Sequence, residues 1–269
     1  MPEVWLKRLC VCSLVAGTAL FAAAADIPAE LTAEQIVQRT MARAQFAQKF
    51  NRQTNFTYQK TTMVEELDGK GQIKSSKEKV LEFERGVGTI KEMRKNGKPL
   101  ALPAKAETSE GAADREQVVK APRNRRDDNW VEYLNKELIA RYDFELVGRE
   151  DVAGRDAYVM KFKPKSEDLP VKQITDRLIN RLGGKVWVDA REFEVAKAEI
   201  GLLSEITMWG GVLGAMKKFS FDVERTRVEG VWFNRVTNFE MEGRKLFDGT
   251  RMRVKSETSN FRPSGAFKK

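Results

Sequence analysis

The chain has 269 residues, 48 Lys and Arg against 39 Asp and Glu, no histidine, and two cysteines, Cys10 and Cys12. Those counts set aside the chemistries that need imidazole or thiolate, among them Ser–His–Asp triads, most zinc sites and disulfide frameworks, and they put binding ahead of catalysis. The formal charge of +9 favours anionic partners, lipid headgroups included.

The first 25 residues read as a secretory signal peptide. Lys7 and Arg8 precede an apolar run from Leu9 to Ala25, and Ala23 and Ala25 place small residues before a cleavage point at Asp26. The rival reading is an uncleaved membrane anchor. Removing 25 of 269 residues leaves 244, enough for one large all-β domain over 26–269 with a sizeable core. Both cysteines leave with the leader. So do Glu3, Lys7 and Arg8; 48 less two is 46 basic residues and 39 less one is 38 acidic, so the excess is +8. The expected compartment is the periplasm. Nucleic acid is not an expected partner, because the basic residues are interspersed with acidic ones. The one tight basic cluster, Arg123, Arg125 and Arg126, fits a solvated loop.

After the leader, Thr32 and Gln35 have the spacing of a capping box, which starts a helix running to about Phe50. Ile36, Val37, Met41, Ala44 and Phe50 give it an apolar stripe that should pack on a sheet. From Asn55 the period becomes two: Phe56 and Tyr58, then Leu81 and Phe83, alternate with polar residues as in half-buried strands. Asp68 to Gly71 form a turn, and Asn96 with Gly97 ends the third run. Residues 102–129 show little periodicity and read as a mobile insertion, followed by a short helix with Val131, Leu134 and Leu138 on its face.

Strand patterns then follow one another closely: Tyr142 to Arg149, Ala157 to Lys163, Lys185 to Asp189, Glu194 to Leu203, Lys217 to Glu229, Val231 to Leu246 and Arg251 to Phe261. Ala153–Gly154, Glu229–Gly230 and Asp248–Gly249 supply hairpin turns, and links this short allow only antiparallel neighbours. Phe219, Phe221 and Val223 alternate with charged and polar residues, as do Tyr158, Met160 and Phe162. Val231, Phe233, Phe239 and Met241 should fall on one side of their strand. The expectation is a mainly β protein: one curved antiparallel sheet of about nine to eleven strands, with one apolar face. Pro170 to Gly183 returns to a helical period, with Val171, Ile174, Leu178 and Leu182 on one face and Gly183 just past its end. This helix should cover either the mouth of the curled sheet, as a lid, or its open edge.

No spacing supports a metal site, and no cofactor is implied. Glu65 and Glu66 are adjacent on a strand and point to opposite faces, so they do not suit paired acid–base work. Gly210, Gly211 and Gly214 lack the lysine of a phosphate loop. The segment Leu202 to Met216, with Met208 and Trp209 threaded among glycines, reads either as an apolar flap at the mouth of a lipid cavity or as ordinary core. The same alternatives hold for Phe56, Tyr58, Phe83, Tyr158, Met160, Phe162 and Trp187, and for Phe219, Phe221, Phe233 and Phe239. As a set, with few helices to cover them, these residues are the candidate wall of an apolar cavity.

The segment Gly184 to Ile200, GKVWVDAREFEVAKAEI, with AYVMKFKPK at Ala157 to Lys165 and LTAEQIVQRT at Leu31 to Thr40, resembles the carriers that sort outer-membrane lipoproteins, the LolA and LolB superfamily. The resemblance implies an exported half-open β-barrel with a helical lid, enclosing a cavity for acyl chains. It also implies an inner-membrane donor, an outer-membrane acceptor and peripheral contact with membranes. Where those carriers have an RPGKFRW-like segment this chain has LEFERGVGTIKEM, and Arg85 is the arginine nearest by position. The expected function is a non-catalytic carrier of a lipoprotein's acyl chains or of another lipid. The alternatives are an envelope sensor or scaffold that binds another protein without a lipid cavity, and a carboxylate or Ser/Lys hydrolase.

Overall fold

The computed structural model describes residues 31–50, 52–102, 136–166, 168–171, 174–208, 214–245 and 248–264. The leader, the 102–129 insertion beyond Leu102, Val131, Leu134 and Trp209 lie outside the described residues.

Helix α1 spans Ala33–Lys49 and opens with the capping box: Thr32 Oγ1 accepts from Gln35 N at 3.3 Å, and Thr32 N donates to Gln35 Oε1 at 3.0 Å. Its buried line is Ile36, Thr40 and Ala44, residues four apart and therefore stacked on one side of the helix. Phe50, expected in the stripe, is the C-cap residue and is 50% exposed, because the buried line ends at Ala44 and Phe50 lies beyond the last turn.

Twelve strands follow among the described residues, more than expected, because two of them are too short to show a period. They are β1 (Phe56–Leu67), β2 (Ile73–Glu84), β3 (Val87–Lys95), β4 (Lys98–Pro99), β5 (Tyr142–Val152), β6 (Arg155–Pro164), β7 (Leu182–Asp189), β8 (Val195–Leu202), β9 (Ile206–Met208), β10 (Gly214–Val228), β11 (Val231–Lys245) and β12 (Asp248–Pro263). Short helices α2 (Lys136–Ile139) and α3 (Ile174–Ile179) precede β5 and β7. All described pairings are antiparallel, in the order β4-β3-β2-β1-β12-β11-β10-β8-β7-β6-β5, with β9 beside β10. The architecture is the expected one, a curved and unclosed antiparallel sheet with few helices. The pairing of β1 with β12, first long strand with last, is not sequential. It joins the two halves of the chain through a ladder running from Phe56 opposite Pro263 to Leu67 opposite Arg251.

Local chemistry explains most of the hairpins. Ala153–Gly154, Glu229–Gly230 and Asn96–Gly97 each place two consecutive residues at positive φ, the conformation that lets a two-residue turn match strand twist. The Asp248–Gly249 expectation is displaced: Lys245 pairs with Asp248 and Arg244 with Gly249, so both belong to β12. The lid helix is shorter than expected. Val171 is 50% exposed, and Leu182 and Gly183 join β7 because they pair with Leu202 and Gly201 of β8. The flap is also partly regular, since Ile206–Met208 pair with Met216–Gly214.

Hydrogen bonds fasten α3 to the sheet. Tyr142 donates its hydroxyl to Ile179 O at 2.6 Å, and Arg141 reaches Asn180 Oδ1 at 2.8 Å and Asp176 at 3.6 Å. At the opposite side, α1 is tied down through the β7–β8 turn. Arg43 approaches Glu194 at 2.9 Å, Arg225 of β10 donates to the same carboxylate at 2.8 Å, and Arg39 lies 5.0 Å from the Phe193 ring centroid. Phe193 in turn stacks on Tyr158 of β6.

Two outcomes test this arrangement. Gly184 lies so close to β8 that an added Cβ would sit 1.9 Å from Glu199 O, and backbone cannot yield as a side chain can. Gly184→Ala should therefore cost at least about 3 kcal/mol, at the upper end of overpacking effects. Gly69→Ala, whose Cβ meets nothing within 4 Å, should leave the urea midpoint unchanged. For Tyr142, burial pushes the phenol up to about 12, against the opposing field of Arg141. A folded value above the unfolded one, about 10, means stability that is complete below pH 10 and lost as pH rises toward 12. Tyr142→Phe should flatten that alkaline limb in a series of urea midpoints; a limb as steep as in the parent protein would assign it to another group.

Candidate functional site

The ladders align side chains in transverse rows, since directly opposed residues share a face and alternate residues along a strand change face. One row crosses ten strands without interruption: Leu146, Met160, Val186, Ala198 and Val223 lead into Thr237, Ser256, Thr62, Lys79 and Met93. The next row on the same face runs Phe144, Phe162, Gly184, Ile200 and Phe221, then Phe239, Val254, Val64, Lys77 and Lys95. The row between them, on the opposite face, is almost wholly polar: Glu145, Lys161, Lys185, Glu199 and Asp222, then Asn238, Lys255, Met63, Glu78 and Arg94.

Ion pairs cover that polar face. Arg253 approaches Glu65 at 3.4 Å, Arg251 meets Glu242 at 2.8 Å, Lys218 meets Glu240 at 2.8 Å, and Arg235 pairs with Glu224. The Asp222 carboxyl is pushed up by desolvation, and its neighbour Glu199 adds to the effect. Glu65 and Glu66 separate as their adjacency requires, Glu65 toward Arg253 and Glu66 Oε2 accepting from Ser75 Oγ at 3.0 Å.

On the apolar face burial is graded. Met160, Ala198 and Val223 are buried, whereas Phe162, Ile200, Phe221, Phe239, Val254 and Val64 are only half-buried. Phe219 meets Phe239 edge-on at 5.4 Å, and Phe221 packs against Val195, Ala198 and Val223. Phe162 lies against Tyr142 at 5.4 Å, beneath the tyrosine that anchors α3.

The other expected wall residues separate into two packed clusters. Phe56, Tyr58, Phe83 and Phe233 gather with Phe261, Val228 and Val231, ring to ring at 4.7–6.1 Å. Trp187 packs with Val152, Ala157, Val159, Ala196 and Trp232, and its indole N–H donates to Glu150 at 2.7 Å. Val231 and Phe233 pack with Phe56 and Tyr58, whereas Phe239 meets Phe219. A register shift at Glu224 and Arg225 leaves Arg235 as an extra residue, so that Phe233 pairs with Thr226 while Phe239 pairs with Phe221. Met208 belongs to β9, which places its backbone beside Gly214, and Trp209 lies outside the described residues. Arg85 stands at the exposed β2–β3 turn at φ 52°.

A cleft of about 450 Å³ opens beside the first cluster, lined by Val228, Arg235, Val236, Glu257, Asn260 and Phe261 among others. It opens where Val236 and Glu257 project, the polar side of the sheet, and not over the apolar rows. Sequence reasoning missed Leu146, Val64, Ile200 and the lysines that end the rows. Their alternation was readable, but membership of a row depends on which strands pair. Among the described residues no group of three or more Asp or Glu could hold a metal ion, and no helix is long and apolar enough to cross a membrane.

No family model matches the sequence, and no curated protein matches it. Among solved structures, the chain is similar to a DUF1329 family protein from Desulfovibrio piger, at 13% identity and a TM-score of 0.32 over 86% of this chain and 94% of that one. It is similar to a LolA superfamily protein from Nitrosomonas europaea at 12% identity and a TM-score of 0.30, covering 87% and 94% of the two chains. It is also similar to the Pseudomonas aeruginosa MucA/MucB complex structure, at 14% identity and a TM-score of 0.25, covering 84% and 100%.

Proposed function

We propose that the protein is an exported, non-catalytic binder of acyl chains, which lie along the apolar rows between α1 and α3 and are carried within the cell envelope. One observation carries this reading: Phe162, Ile200, Phe221, Phe239, Val254 and Val64 form a continuous in-register row that stays half-buried, on the face opposite a lattice of ion pairs. An apolar face covered only in part can gain about 0.8 kcal/mol for each methylene laid on it, so affinity for a long chain needs no strong polar contact. Cargo would enter and leave past α3, which is held by a few hydrogen bonds at Tyr142, Arg141 and Asn180. In this reading the expected wall residues Phe162, Phe219, Phe221 and Phe239 touch cargo, whereas Phe56, Tyr58, Phe83, Phe233 and Trp187 hold the ends of the sheet in shape. A peripheral encounter with a membrane or a partner lipoprotein would deliver the chain.

A second reading is a module that binds another envelope protein. It is favoured by Phe46 and Phe50 at the end of α1, each 50% exposed, with ring centroids 4.8 Å apart and Arg43 and Lys49 against their faces.

Gentle purification followed by native mass spectrometry should find lipid on the protein, and Phe221→Glu should lower capture of a fluorescent fatty acid at least about tenfold, since a charge would be buried against the chain. Asn238→Glu, one residue from Phe239 but on the ion-paired face, should leave capture unchanged. Equal capture by folded Phe221→Glu, or a co-purifying protein in place of lipid, would move the assignment to the second reading.

A further inference from the structure

The face that carries the apolar rows is not uniform. From β5 to β10 its rows hold only apolar side chains and Gly184, whereas toward β3 one row becomes Thr237, Ser256, Thr62 and Lys79, and the other ends in Lys77 and Lys95. Acidic residues of the same strands project to the opposite face, where Glu78 and Glu92 approach Arg94 at 3.8 and 2.6 Å. Glu66, the acid of β1 on the lysine side, lies four residues along from Thr62, roughly 14 Å away, and is hydrogen-bonded by Ser75. Among the described residues Lys77, Lys79 and Lys95 have no ion-pair partner.

Lys79 differs from the other two because it is half-buried, between Thr62 on β1 and Met93 on β3. Its ammonium is pushed below the ordinary lysine range by desolvation. A partly desolvated cation gains most from an anion that can approach without its own water. Next to it, Thr62 Oγ1 and Ser256 Oγ are 3.0 Å apart. Two hydroxyls bonded to each other use one proton between them, which leaves the second free to donate outward.

We infer that Lys79, with the Thr62–Ser256 hydroxyl pair, binds the anionic oxygens of an acyl amphiphile's head, a carboxylate or a phosphate, while the hydrocarbon lies toward Val64, Val254, Phe239 and Phe221. This rests on the acyl-binding reading above and names the class of cargo. From Lys79 to Val223 the row crosses four strand spacings, roughly 19 Å, comparable with an extended long acyl chain. The ammonium and a hydroxyl donate to the head, the carbons meet the half-buried row, and no covalent step is involved. Selectivity follows from the head, since the apolar row holds any tail of similar length.

Displacement of a fluorescent fatty acid from the protein by palmitate, lysophosphatidylglycerol and uncharged monopalmitoylglycerol, all with the same acyl length, separates the possibilities. At least one of the two anions should bind about tenfold tighter than the uncharged ester, as one charge-assisted hydrogen bond would give, and which anion does so identifies the head as carboxylate or phosphate. Lys79→Met should fold with an unchanged or higher urea midpoint, keep monopalmitoylglycerol binding and lose the preference; Lys79→Arg should retain it. Equal binding of all three amphiphiles, or an undiminished preference in Lys79→Met, would overturn the headgroup assignment while leaving acyl binding in place. If none displaces the probe, the acyl-binding reading fails and the assignment with it.

Discussion

Everything on the two faces depends on one pairing, the ladder between β1 and β12. Nearly 200 residues separate Thr62 from Ser256, and their hydroxyls nevertheless meet at 3.0 Å across the strands. A slip of one residue would place Val64 and Thr62 among the ion pairs and Glu65 and Met63 on the apolar side. The neighbouring ladders fix the rest. Because the pairings from β5 to β3 remain in register through the middle of the sheet, apolar and charged residues separate into continuous rows and not into scattered patches.

On the apolar face of this sheet Met160, Ala198 and Val223 are buried and Phe162, Ile200, Phe221 and Phe239 are half-buried. The helices cover some of it. Glu194 is nearly fully buried and holds Arg225 of β10 and Arg43 of α1 together, a pair of charges on one carboxylate that is tolerated only because the geometry is close. The same turn is stiffened by Asp189, whose buried carboxyl is held below the usual range even though desolvation works the other way. Arg155 donates two hydrogen bonds to it and the backbone N–H groups of Glu192 and Arg191 add two more. At the other end α3 is short and fastened by hydrogen bonds at its margin.

Much of this was legible along the chain. Thr32 and Gln35 announced α1, Asn96–Gly97 and Glu229–Gly230 announced turns, and the alternation in Phe219–Val223 gave a two-faced strand, because each depends on neighbours a few residues away. Other local signals point away from the fold for equally local reasons. Gly183 looked like the end of a helix, yet it lies in β7 where pairing with Gly201 fills its backbone bonds. Phe233 looked like a companion of Phe239, but the extra residue at Arg235 sends it into the cluster with Phe56 and Tyr58. A bulge leaves no mark in composition or period.

By itself, then, the sequence determined the class: a chain with a capped amphipathic helix and long alternating strands joined by short turns forms an antiparallel sheet with one apolar face. Only the tertiary structure decided which strands are neighbours, and therefore that Phe56, Tyr58, Phe83 and Phe233 pack together while Phe221, Phe239, Val254 and Val64 stand half-buried in one row. The physical reason is that alternation is a property of a single strand, whereas a row is a property of ten strands held in register. Lys79 shows the difference most clearly, an unremarkable lysine in a polar stretch of sequence that the ladders set on the apolar face beside Thr62, whose hydroxyl is bonded to Ser256 from the other end of the chain.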